Sequence, residues 1–187
     1  LKSFLASMEN YFHGSSSGID PLQCYFGKPF VLSQKITDNG QQSSFTILDN
    51  DFISDDIHIF LLDTNIKSPT GPLVEHFKER RRDEKYLDKF NNEYVPLVSE
   101  CIDCLVEKKD DEFFANLLRL STLQLELLSH TIPDDYKEYF LKDINEDHFQ
   151  IKLCGAGGGG FLLGFSDDIE ATGRYWEDRG KKISWIR

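Results

Sequence analysis

Five glycines crowd into six consecutive positions, residues 155–160, between the apolar runs 149–153 and 161–165. Glycine gives up more conformational freedom on folding than any other residue, and an ordinary hairpin needs only one or two of them. So dense a cluster implies that backbone must come very close to something. Either an anion is held by a nest of amides, or a second loop packs where Cβ atoms would otherwise stand. The segment is not a P-loop, since no Gly-Lys-Ser/Thr follows it, and not a Rossmann fingerprint, since a strand-like run rather than a helix comes next. It reads as the border of an active site.

The rest of the chain supplies the frame for that turn. Residues 1–12 place Phe4, Leu5, Met8, Tyr11 and Phe12 at helical spacing, with Gly14 as a stop. Short apolar runs at 24–26, 29–32 and 45–48, punctuated by Gly27 and by Asp38-Asn39-Gly40, predict antiparallel strands with a hairpin. Residues 57–62 are a near-continuous apolar run of strand length, and residues 69–72 mark a sharp change of direction. From 73 to about 145 the period is helical, with breaks near Lys109 and Pro133, so three or four helices fit. The tail reads strand (149–153), glycine turn, strand (161–165), helix (167–178, Ser166 as N-cap) and strand (182–186). The order β, several α, β, β, α, β predicts an α+β fold, a ferredoxin-like split βαβ sheet with extra helices in its first crossover.

Charge narrows the function classes. A net charge of -11 repels phosphodiester backbones and anionic lipid, so neither nucleic acid nor a membrane surface is an expected partner. The basic run 78–82 is followed at once by Asp83 and Glu84 and reads as a solvated helix face. No apolar stretch reaches the roughly 20 residues that span a bilayer, and the expectation is a cytoplasmic protein. Cys101 and Cys104 lack a second ligand pair and read as half-buried helix positions rather than a zinc or redox site. The chain opens on Leu1, already inside an amphipathic pattern, and reads as a piece of a longer protein.

A second chemically rich segment is ENYFHGSSSGID, residues 9–20. Glu9 and His13, four apart, share one helix face. Asp20 precedes Pro21, which disfavours helical geometry before it, so its carboxylate is expected on a loop. Solvated serines, an Asx turn and an exposed Glu/His pair are the bland alternatives.

Three motifs in order carry a family resemblance. HGSSSGIDP at 13–21, LLDTNIKSPTGPLV at 61–74 and KLCGAGGGG at 152–160 resemble segments of the GHMP kinase superfamily, and of its mevalonate kinase branch in particular. The resemblance implies a remnant of the N-terminal GHMP domain at 1–53 followed by the C-terminal GHMP domain at 54–187. It implies phosphoryl transfer from ATP, with Mg²⁺, to a small-molecule alcohol, mevalonate first among them, in isoprenoid biosynthesis. Asp20 then matches the aspartate beside the acceptor hydroxyl, and Glu9 the glutamate that holds Mg²⁺. Gly155, Ala156, Gly157, Gly158, Gly159 and Gly160 match the residues that pack on the phosphate loop. His13, Ser17 and Gly18 shape the loop near Asp20, and Thr70 caps a helix near the cleft.

The chemistry suits those residue types. Phosphoryl transfer needs mainly positioning and charge neutralisation, which one aspartate and a carboxylate-held Mg²⁺ provide. Glu9 alone does not satisfy octahedral Mg²⁺, so ATP oxygens and a second ligand must join it. The family's Gly/Ser-rich phosphate loop and upstream lysine have no counterpart in these residues, and the chain alone is expected to be inactive. Ser16 stands where the family has proline and Cys154 where it has threonine, which leaves a related sugar or isoprenoid alcohol open as acceptor. The competing reading is a non-catalytic sensor of the same fold, although two carboxylates in one cleft favour catalysis. A bare ferredoxin-like interaction module would leave residues 9–20 unexplained. The strands before residue 50 would normally extend a sheet, and their open edges predict a homodimer or partial disorder there.

Overall fold

The computed structural model describes residues 1–13, 18–37, 40–67 and 70–186 and divides the chain into two units, Leu1–Phe52 and Ile53–Arg187. In the second unit β3 (His58–Asp63), β4 (Phe149–Leu153), β5 (Phe161–Ser166) and β6 (Lys182–Trp185) form one antiparallel sheet in the order β4-β5-β3-β6. Alternation puts Phe60 and Leu62 of β3 and Phe149, Ile151 and Leu153 of β4 into the core, with Trp176 of α8 (Ile169–Glu177) fully buried among them. Gly164 of β5 pairs with Phe60, and the Phe60 ring occupies the space a Gly164 side chain would need. An aromatic across the strand thus covers the glycine and keeps β5 regular.

The helical region between β3 and β4 holds α3 (Thr70–Arg80), α4 (Glu84–Lys89), a π-helical turn at Phe90–Tyr94, α5 (Val95–Val106) and α6 (Asp110–Leu128). Short 3-10 segments, Ser129–Thr131 and Asp134–Leu141, and the single turn α7 (Ile144–Asp147) lead into β4. Phe113, Leu117, Leu120, Gln124 and Leu127 form the buried stripe of α6, at helical spacing. A stripe of that length buries the helix against α5 and β4. Cys101 is buried in α5, and burial pushes its thiol up to about 12, so it behaves as a small apolar residue. The N-cap of α8 is Asp168, which accepts from the Ala171 N–H, and not Ser166, whose Oγ instead meets Thr172 Oγ1 at 2.9 Å.

In the first unit α1 (Lys2–His13) and α2 (Ile19–Phe26) precede the antiparallel pair β1 (Phe30–Thr37) and β2 (Gly40–Ile47). The pairing runs through to Thr37 and Gly40, while Asp38 and Asn39 of the expected turn lie outside the described residues. Phe26 packs on Phe45 with ring centroids 4.9 Å apart and the rings tilted by 49°. Two expectations fail here. Residues 24–26 are the end of α2 rather than a strand, and Asp20 lies in the first turn of that helix rather than on a loop. Pro21 is tolerated because first-turn amides have no intrahelical acceptor to lose, and burial of Leu22, 0 % exposed, outweighs the mild pre-proline preference. No helix among the described residues is long and apolar enough to cross a membrane.

Candidate functional site

The glycine turn joins β4 to β5 and is tied down on both sides. On one side the Gly158 N–H donates to Thr131 O in the 3-10 turn after α6. On the other, Gly160 N–H donates to Ile66 O at 2.8 Å, and Gly160 O accepts from Thr64 N–H at 2.9 Å and Thr64 Oγ1 at 2.8 Å. A Cβ on Gly157 would lie 2.5 Å from Thr131 O, and one on Gly159, where φ is +149°, would overlap Ile66 O. The close approach implied by the glycine cluster is therefore made, at these two positions, by the unit's own backbone. Gly155 and Gly160 are different, since a Cβ there would meet nothing within 4 Å.

Beside the turn lies a pocket of about 220 Å³. Gly155 and Ala156 form one wall, Leu73 and Phe77 of α3 another, and Tyr94 and Thr131 are among the residues that line the rest. The π-helical turn, a device that re-aims side chains, brings Tyr94 here. The Tyr94 hydroxyl accepts from Gln124 Nε2 at 3.0 Å, and Gln124 Oε1 accepts from Leu153 N–H at 2.9 Å, the last residue of β4. Burial pushes the Tyr94 phenol up, so it stays a neutral hydroxyl. Gln124 is 2 % exposed and thus sets the height at which β4 enters the turn. Gln124→Leu strands the Leu153 N–H and removes a donor from Tyr94, and it is expected to lower stability by roughly 2–4 kcal/mol in urea unfolding, the range for two broken buried hydrogen bonds.

Helix α3, which begins at Thr70, walls the pocket through few contacts. Phe77 meets Phe90 at 5.2 Å, and the His76 ring lies 4.2 Å from that of His130. Burial, then the neighbouring His76 and Arg80, hold His130 below its ordinary 6.5. The unfolded chain therefore takes up this proton more readily than the folded one. The contribution to stability is complete above the unfolded value and is lost as pH falls below it. The melting temperature is expected to drop between about pH 7 and pH 5, and His130→Gln is expected to flatten that dependence.

The other expected residues belong to the first unit. Glu9, half-buried, and the backbone of His13 are on α1, and Asp20 is exposed on α2. Gly18 is buried at φ +73°, and Lys2 O and Ala6 fill the place of its Cβ. That contact docks the start of α2 on α1 and so fixes where Asp20 stands relative to its own helix pair. The side chains of His13 and Thr70, and Ser17 altogether, lie outside the described residues. Among those described, no group of three or more His, Cys, Asp or Glu side chains is arranged to hold a metal.

Residues missed in the sequence are Thr64, Ile66, Tyr94, Gln124 and Thr131. Thr64 and Ile66 lie inside the 61–74 motif without standing out in it, and Gln124 left a signal as the one amide in the apolar stripe of α6.

No protein-family profile matches the chain. A mevalonate kinase of Dictyostelium discoideum is 26% identical over 162 residues, which is 83% of this chain and 39% of that protein. The crystal structure of L. major mevalonate kinase in complex with R-mevalonate aligns at a TM-score of 0.74 over 95% of this chain and 54% of that one, with 16% identity. Streptococcus pneumoniae phosphomevalonate kinase in complex with phosphomevalonate and AMPPNP aligns at 0.56 over 80% of this chain and 44% of that one, with 17% identity. The chain thus spans about half or less of each of these relatives. In sequence and in its mixed helix-and-sheet fold it resembles the mevalonate kinases of the GHMP superfamily.

Proposed function

We propose that the protein to which this chain contributes is an ATP-dependent kinase that phosphorylates a hydroxyl of a small acidic alcohol, with mevalonate as the acceptor. The observation that carries the reading is the strapped glycine turn opening onto the pocket that α3 walls, because it joins two of the three motifs in one place. We read the four-stranded sheet as a split βαβ arrangement, and residues 1–53 and 54–187 as portions of the N-terminal and C-terminal GHMP domains.

In this reading the acceptor oxygen bonds to the γ-phosphorus of ATP as the bond from that phosphorus to ADP breaks. The acceptor proton passes to the Asp20 carboxylate, or Asp20 stabilises the charge that builds as it leaves. Glu9 suits Mg²⁺ only as one ligand beside ATP phosphate oxygens and a further group, in keeping with a single carboxylate. The exposed edges of Gly155 and Gly160, bare of side chains, leave room for another backbone to approach.

The test is to incubate the full-length protein with Mg-ATP and R-mevalonate and follow ADP release together with the mass of the product. Phosphomevalonate formed in step with ADP is the expected result. Mevalonate and ATP that bind and are never turned over would overturn the kinase reading in favour of a sensor.

A further inference from the structure

None of residues 71–80 of α3 is buried, whereas α6 buries seven of its 19 residues, so α3 lies on the second unit as a cover rather than as part of its core. What holds it differs along its length. The C-terminal half is pinned by rings: Phe77 meets Phe90 and Tyr86, and the Arg80 guanidinium carbon lies 4.5 Å from the centre of the Tyr86 ring. The N-terminal half, among the described residues, rests on Leu73 and Val74, which line the pocket, and on the contact of His76 with His130. His130 stands in the 3-10 turn whose next residue, Thr131, accepts from the Gly158 N–H and lines the same pocket. That one ring contact therefore links the cover to the turn that straps the glycines.

Its strength depends on charge. Neutral imidazoles 4.2 Å apart pack as aromatic rings, but protonated ones place like charges at contact distance. The other groups around the pair do not offset this. Glu75 pairs with Lys78 at 2.7 Å, Glu126 of α6 pairs with Lys89 of α4, and Glu79 is exposed on α3. Burial keeps the Tyr86 phenol neutral under Arg80, and Arg81 and Arg82 follow in the turn after α3. Of all these groups only His76 and Arg80, both on α3, act electrostatically on His130, and both disfavour its charged form.

We propose that α3 is a lid on the glycine-turn pocket and that protonation at the His76–His130 contact releases its N-terminal half. Leu73 and Val74 then leave the pocket, and the helix swings about the Phe77 and Arg80 contacts. The device is built within the second unit and stands whether or not the kinase reading holds.

Native-state hydrogen exchange of the full-length protein tests it, with rates divided by the intrinsic chemical rate at each pH. Amides of α3 are expected to exchange through an opening that does not depend on urea below the unfolding transition, unlike those of α6. The open population should rise about tenfold from pH 7.5 to pH 5.5, the limit for one histidine whose ordinary value of 6.5 returns on opening. His130→Gln should abolish the rise, and His76→Gln should cut it to about threefold, because burial still acts on His130. His58→Gln, on β3 at the end of the sheet away from the glycine turn, should leave it unchanged. Exchange of α3 only through urea-dependent global unfolding would overturn the lid. An open population equal at the two pH values, or a full rise retained in His130→Gln, would overturn the proton release.

Discussion

Gly159→Ala is expected to destabilise the second unit by roughly 3–5 kcal/mol, enough to unfold a marginal domain at physiological temperature. Two separate costs add. At φ +149° a residue with a Cβ is strained whatever surrounds it, at about 1–3 kcal/mol. The new methyl would also overlap Ile66 O, and forcing atoms into packed space costs a further 1–3 kcal/mol or so. Ile66 O cannot simply withdraw, because it is a backbone carbonyl and already accepts from Gly160 N–H. Gly155→Ala is the matched control, since φ there is +74° but a Cβ meets nothing within 4 Å. It should cost about 1 kcal/mol, the left-handed penalty alone. Urea unfolding of the two variants checks the account, and equal losses would show that backbone conformation, not the strap to Ile66, explains the glycine cluster.

Asp20→Asn is expected to lower kcat of the full-length protein by roughly 100- to 10,000-fold while leaving KM for ATP nearly unchanged. Asparagine keeps the shape and the hydrogen-bonding oxygen but neither accepts the proton nor balances the charge of a departing one. Asp20 is exposed in the first turn of α2, where a carboxylate gains only about 0.3–1 kcal/mol from the helix dipole. Stability should therefore hardly move while turnover collapses. A variant with full turnover would remove Asp20 from the chemistry, and one with turnover lost in proportion to folded protein would make it structural.

How far the sequence could be read depended on whether the deciding contact was local. The apolar runs at 57–62, 149–153 and 161–165 became β3, β4 and β5 within a residue or two, because strands buried in a sheet declare themselves by composition. The glycine cluster announced a close approach but could not say to what. Thr131 and Ile66 are 26 and 93 residues from their glycines, and only tertiary packing brings them there. Residues 24–26 failed for the opposite reason. Their aromatic and Cys content resembles a strand, yet Leu22 and Phe26, four apart, belong to one turn of a helix that Gly18 lets dock on α1. The π-helical turn at Phe90–Tyr94 left one signal, Pro96 at the start of α5, which has no N–H to give a carbonyl of the preceding turn; Phe90 stacks on Tyr94 there at 4.9 Å.

The candidate site divides along the same line. Motif residues could be found one by one, because their types and order are local properties. The supports that place them could not. Gln124 binds Leu153 from 29 residues away, and Thr64 binds Gly160 across 96. Nothing in either segment alone predicts the pairing.

The account depends on the acidic residues of the first unit and the glycine turn of the second serving one reaction. A crystal structure of the full-length protein with mevalonate and a non-hydrolysable ATP analogue tests that directly. The prediction is an Asp20 carboxylate oxygen about 3 Å from the acceptor hydroxyl, with residues 155–160 against the phosphate-binding segment. Mevalonate bound with Asp20 outside its cleft, or a nucleotide remote from the glycine turn, would contradict it.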